Sequence, residues 1–294
     1  MAAQASVVAQ GAPDAPQASA ATPRAPGVTV EGSRESLEKE VRTFVRQLTH
    51  TTRFASESIP RWRDALCLLV AGLPRSQGSF VAARLTQVAV AAGAKVRTRG
   101  CVRSEVNFYV VFTPDPARTL KYLNVHPALL FQSDASRHQE EQFLDPKHPH
   151  AVRVWHNAVL TGADGQRLAV GVGSCAAVPR MVINCTHDAS RLSVQATQQF
   201  TEAVVVIDLK RLAGATLGQV SDYVAMAGLA DFALDDKFGD APTILRLFTQ
   251  PTDMRPKELT QWDRAFLGAL YHTDQRSVTQ REHIADDMLH EVTN

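Results

Sequence analysis

Apolar residues recur at helical spacing over Leu37, Val41, Phe44, Val45 and Leu48, with charged residues between them. This pattern predicts a first helix with Ser33 or Ser36 as its N-cap. The continuous apolar run Ala65–Ala71, bounded by Gly72 and Pro74, predicts a buried strand. Ser79–Ala92 then reads as an Ala-rich helix with Phe80, Val81, Leu85, Val88 and Ala89 facing inward and Gly93 ending it. Lys95–Arg99 alternates like a strand, and Val106–Phe112 is the strongest strand signal of the first half. A further helix is expected from Asp115 through Leu123. Strand, helix, strand makes a βαβ-like unit.

The middle of the chain is less regular. Val152–Trp155 and Leu168–Val172 have strand character and are joined by a turn over Gly162–Gly165, and a polar, turn-rich connection runs from Gly173 to Gln199. Order returns with the β-branched run Ala203–Asp208, expected to be a fully buried strand. A helix from Leu217 to Ala227 follows, with Gly228 as its C-cap. Acidic residues at Asp231, Asp235, Asp236 and Asp240 lead to the short apolar stretch Ile244–Phe248. Thr260 and Asp263 form a capping pattern for a helix presenting Trp262, Phe266, Leu267, Leu270 and Tyr271. Ser277 and Gln280 have the spacing of a capping box for a last helix with Ile284, Met288 and Val292 on one face. The expected fold class is α+β with a mixed α/β core, strands covered by helices. It comprises one domain over 33–294 and a disordered tail over 1–32.

Composition narrows the function classes. The 294 residues carry 31 Lys+Arg against 30 Asp+Glu, which removes the global electrostatic case for nucleic-acid binding. No apolar run reaches the ~20 residues of a membrane-spanning helix. The first 28 residues hold ten alanines and four prolines, a mixture that buries too little surface to order itself. Their first basic side chain is Arg24, unlike a secretory signal. Ala3-Gln4-Ala5 and the Ala/Pro/Gln-rich run behind it nonetheless resemble a signal cleavage region followed by the start of an exported chain. A cytosolic tail is the alternative. Four cysteines without C-x-x-C spacing favour two disulfides, grouped as Cys67–Cys101 and Cys175–Cys185; four reduced thiols are the competing reading.

Catalytic motifs are absent from the sequence: there is no G-x-G-x-x-G, phosphate-binding loop or nucleophile elbow. His148, His150 and His156, with His187 as a further candidate, form the sharpest metal hypothesis, since imidazoles two apart on an extended segment share a side. The Pro149-containing turn around them favours an exposed loop instead. Lys95, Arg97 and Arg99 would present three cations on one strand face for a phosphate or other polyanion, or simply a solvated edge. Arg61-Trp62-Arg63 reads as a surface entry into the core, with the arginines exposed or stacked on the indole.

The last third carries a resemblance. Ser221-Asp-Tyr-Val-Ala-Met-Ala-Gly-Leu229, the acids from Asp231, Ile244-Leu-Arg-Leu-Phe248, and Leu259-Thr-Gln-Trp-Asp263 through Ala269-Leu-Tyr271 together resemble bacterial exported proteins of the domain-of-unknown-function 2927 type. The resemblance spans Arg61 to Asp274 and implies a zincin-like metallopeptidase layout. A zincin helix needs two imidazoles one turn apart and a carboxylate beside the first. Ser221, Asp222 and Ala225 stand at those positions, so the resemblance implies a degenerate metal motif, with Asp222 otherwise a solvent-facing acid and Tyr223 and Met226 core. The first functional expectation is an extracytoplasmic, periplasmic or secreted protein that binds an envelope protein or peptide without cutting it and without a cofactor. The alternatives are a zinc hydrolase built on the histidines and a cytoplasmic anion-binding module.

Overall fold

The computed structural model describes residues 28–49, 58–97, 101–125, 143–145, 150–162, 167, 194, 196–212, 214–232 and 237–294. The strands are β1 (Arg61–Trp62), β2 (Leu68–Ala71), β3 (Phe108–Thr113), β4 (Val152–Thr161) and β5 (Thr197–Asp208). The α-helices are α1 (Val28–Leu48), α2 (Arg75–Ala92), α3 (Pro116–Val125), α4 (Leu217–Leu229), α5 (Gln261–His272) and α6 (Gln280–Thr293). The architecture is the expected mixed α/β core.

β5 organises the sheet because its Ala203–Ile207 run has no polar face to turn to water. β4 pairs antiparallel with it along its length, from Val152 opposite Ile207 to Thr161 opposite Thr197. The other edge of β5 is shared by β1 at Gln199 and Phe200 and by β3 from Ala203 to Asp208, both parallel. β2 lies parallel beyond β3, after the α2 crossover. A bulge at Asn157 and Ala158 interrupts β4. Cys67, just before β2, is joined to Cys101 by a disulfide with Cα atoms 5.9 Å apart. Cys175 and Cys185 lie outside the described residues.

The two sheet faces carry separate cores. One face is covered by α1, α2, α4, α5 and α6 in a cluster that runs from Val41 to Met288 and includes Phe108, Val110, Phe200, Val205 and Ile207. The opposite face packs Trp155, Val204 and Val206 against Leu120 and Leu123 of α3 and against Phe143. α4 sits so close to the first face that a Cβ on Gly228 would meet Phe108 Cζ at 2.1 Å.

Several sequence expectations change on this framework. The first helix begins at Val28, so the last five residues assigned to the tail, 28–32, are helical; residues 1–27 lie outside the described ones. Phe80 is 49% exposed, because the inward stripe of α2 is Val81, Leu85, Val88, Ala89 and Ala92. Gly93 does end α2, with φ +95° and its N–H bonded back to Val90. Of the expected Lys95–Arg99 strand, the described residues 95–97 form one bridge, Val96 with Leu66, and residues 98 and 99 lie outside the described ones. Gly228 lies inside α4, whose C-cap is Ala230. Thr260 and Asp263 form their capping box, whereas α6 starts at Gln280 behind Thr279 without a side-chain cap. The Gln280 side chain instead accepts from the Ile59 N–H at 2.9 Å, so the residue expected to cap a helix holds a loop across the core. The Leu168–Val172 strand lies outside the described residues.

Candidate functional site: a groove beside helix α4

α4 brings Ser221, Asp222 and Ala225 into the interior: their exposures are 0%, 1% and 1%. Asp222 is therefore a buried acid, not a solvent-facing one. Arg84 of α2 donates to it twice, Nε to Oδ1 at 2.5 Å and Nη2 to Oδ2 at 3.0 Å, and the Leu259 N–H adds a bond to Oδ2 at 2.8 Å. This hydrogen bonding raises the guanidinium above its already high range. A bidentate pair with a backbone donor is the arrangement that lets a carboxylate remain charged out of water. Ser221 Oγ donates to the Leu217 carbonyl one turn back at 2.7 Å, and Ala225 packs in the core. Tyr223 is half-buried and Met226 fully buried. Burial pushes the Tyr223 phenol up to about 12, which keeps it neutral.

The far end of α4 is closed by three ring donors. Helix C-termini leave carbonyls without intrahelical partners. Here the Gly228 carbonyl receives Trp62 Nε1–H at 2.8 Å and lies 3.2 Å from His156 Nε2, while the Leu229 carbonyl receives the Tyr271 hydroxyl at 3.0 Å. His156 stacks on Phe200 at 4.3 Å and its Nδ1 faces Asp231 Oδ1 at 3.8 Å. Trp62 is thus buried rather than a platform for cations. Arg61 reaches the Leu270 and Thr273 carbonyls at the end of α5, and burial lowers its pKa.

Of the candidate histidine ligands, His156 is the one whose partners are seen, and it is engaged by the Gly228 carbonyl and Phe200. Four strand steps of ~3.3 Å separate it from Val152 at the start of β4, placing it about 13 Å along the strand from His150's end. Metal ligands lie ~2 Å from their ion. His148 and His187 are outside the described residues, and no three His, Cys, Asp or Glu side chains converge as a metal site among the described ones. Two members of the cationic row are described. Arg97 pairs with Glu105 at 2.5 Å, Lys95 is exposed, and Arg99 lies outside the described residues.

Next to the Arg84–Asp222 pair is a groove of about 600 Å³ between α2, α5 and α6. Its floor is made of small apolar positions, Val88, Ala91, Ala265 and Gly268. Arg84, Glu258, Arg264, Asp287 and Glu291 form its charged rim. A second depression of about 390 Å³ shares Arg84, Gln87 and Glu258 and is lined by the exposed Phe80. Gly268 stands out on the floor. A glycine inside a helix costs roughly 0.5–1 kcal/mol relative to alanine. Yet a Cβ at 268 would meet nothing within 4 Å. Its missing side chain is open groove, not a packing requirement. None of these rim residues was singled out by the sequence. A glycine in the middle of a capped amphipathic helix was the one available signal.

No protein-family model matches the chain, and no curated protein or solved structure is significantly similar to it.

Proposed function

We propose that this is an extracytoplasmic binding protein without catalytic activity, with a zincin-like layout whose motif helix supports a groove instead of a metal, and that a peptide segment of an envelope partner occupies that groove. The observation that carries the reading is the use of the motif positions. Both Asp222 oxygens are engaged by Arg84 and Leu259, and the adjoining surface is a concave apolar floor with a polar rim, the composition of a ligand site. Export is supported by the Cys67–Cys101 disulfide, since such bonds persist in oxidising compartments. No helix among the described residues is long and apolar enough to cross a membrane.

The test is selection of a random displayed-peptide library on the full chain, followed by affinity measurement on a Gly268→Trp variant. A Cβ at Gly268 meets no neighbour within 4 Å and the position lines the groove, so the variant should fold with its ring in the groove. Selected peptides are expected to lose tenfold or more in affinity for Gly268→Trp. Peptides indifferent to that change would overturn the groove as the binding site. Export has its own check: the intact mass of protein taken from its native compartment, alkylated without reductant, should show Cys67 and Cys101 unmodified.

A further inference from the structure

The charges around the groove are unevenly matched. Both arginines on its rim already have carboxylate partners: Arg84 is bound to Asp222, and Arg264 Nη2 lies 3.3 Å from Glu258 Oε1. Asp287 and Glu291 have no such counterpart. Neither forms an ion pair with a described residue, and the nearby cation Arg42 is directed to Asp286 at 2.9 Å instead. Thr273 Oγ1 reaches Asp287 Oδ2 only at 3.4 Å. Asp287 and Glu291 are four apart on α6, so their carboxylates stand one above the other on one helix side, the side that lines the groove. Glu291 also lies in the last turn of α6, where the helix dipole is negative and adds to the same local potential. Counting the groove's five charged side chains together with Asp222 leaves two carboxylates in excess, with His272 the remaining titratable group on the wall.

We infer that the groove takes a cationic peptide segment, with the aliphatic stem of an arginine or lysine lying over Gly268 and its head between Asp287 and Glu291. This rests on the peptide-binding reading above and names the chemistry of the peptide. Long cationic side chains bury their methylenes along apolar surface while the head stays with polar partners. The floor of Ala91, Ala265 and Gly268 is narrow in side-chain bulk and apolar, which suits the stem, and the acidic edge of α6 suits the head. An acidic peptide would meet Asp287 and Glu291 with like charge. Its attraction to Arg84 and Arg264 would compete with the carboxylates those arginines already hold.

The experiment uses three fluorescein-labelled nonapeptides on one Ala/Leu framework, carrying two arginines, two citrullines or two glutamates, titrated into the full chain by fluorescence anisotropy. Citrulline keeps the shape and removes the charge. The arginine peptide is expected to bind at least tenfold more tightly than the citrulline peptide. That advantage should vanish in the Asp287→Asn, Glu291→Gln double variant, and binding of all three should fall in Gly268→Trp. Circular dichroism melts of both variants establish that they are folded. Equal binding of the arginine and citrulline peptides, still blocked by Gly268→Trp, would overturn the cationic preference and leave the groove reading intact. Preferred binding of the glutamate peptide would overturn it in the opposite sense. Binding unaffected by Gly268→Trp, or no binding by any peptide, would overturn both.

Discussion

The surroundings of α4 on one sheet face and of Asn157 on the other treat buried polar groups differently. On the face covered by α4 and α5 the groups around α4 are bonded: Asp222 to Arg84 and Leu259, the α4 carbonyls to Trp62, His156 and Tyr271, and Asp263 to Thr243, Thr260 and Ile244, while Gln280 Nε2 at the start of α6 has no partner among the described residues. On the face carrying Trp155, Arg153 is bonded to the Phe143 and Asp145 carbonyls, but the Asn157 side chain is 1% exposed and neither its amide nitrogen nor its amide oxygen has a partner among the described residues. Directly opposite on β5 is Glu202, whose carboxyl is pushed up to about 7 by burial alone. An unmade bond on a buried polar group costs more than a made bond contributes, so the bonded cluster around α4 adds rigidity whereas Asn157 and Glu202 subtract stability. The groove borders that bonded cluster through Arg84 and Leu259. A binding surface benefits from side chains that are already held in place, because less ordering remains to be done when the ligand arrives.

The comparison can be broken most severely at the apolar centre of the second face. Trp155→Ala removes the largest fully buried side chain there and should lower stability by about 4 kcal/mol, read from denaturant melts. A loss under ~1 kcal/mol would mean that this face contributes little to folding. On the first face, Arg84→Ala leaves Asp222 with only the Leu259 N–H and should cost about 3 kcal/mol. Asp222→Asn in the same background should recover part of that loss by removing the unpaired charge; no recovery would show that packing rather than charge is at stake. Gly228→Ala drives a methyl into the buried Phe108 ring and should cost about 2 kcal/mol with little change in groove affinity.

The second face also predicts a pH dependence. Glu202 binds its proton more tightly folded than unfolded, so between the ordinary carboxylate range and about pH 7 the native state holds more protons. Its contribution is fully present at acid pH and is lost as pH rises through 7. Glu202→Gln should therefore remove a loss on the order of 1–2 kcal/mol at pH 8, reduced from the full shift by solvent screening because the group is partly exposed. At pH 4 it should change little. Equal effects at both pH values would sink this account of Glu202. The smallest effect is expected at the groove floor: Gly268→Ala should stabilise α5 by roughly 0.5–1 kcal/mol, since the methyl meets no neighbour.

Much of this fold is legible in local pattern. The buried stripes Val41–Phe44–Val45–Leu48 and Trp262–Phe266–Leu270, the core strand Ala203–Ile207 and the Thr260 cap follow from spacing, because each depends on residues within one or two turns of one another. The candidate site is legible only in part. Asp222 was identified by its place in a motif-like helix, but its burial was not, since its partner Arg84 is 138 residues away. His156 has the look of a metal ligand in sequence and becomes a helix-end partner because β4 carries it beneath Gly228. Gln280 has cap spacing and is used instead by Ile59, 221 residues distant.

Periodicity and capping thus determine which segments become helix or strand and which of their faces turn inward, because backbone hydrogen bonding and side-chain direction act over a few residues. Tertiary structure alone decided that β5 would pair with three other strands, that Gly228 would touch Phe108, and that α2, α5 and α6 would leave an open floor at Gly268. Those outcomes depend on which distant surfaces meet, and a polar side chain's role is set by the partner that burial brings to it.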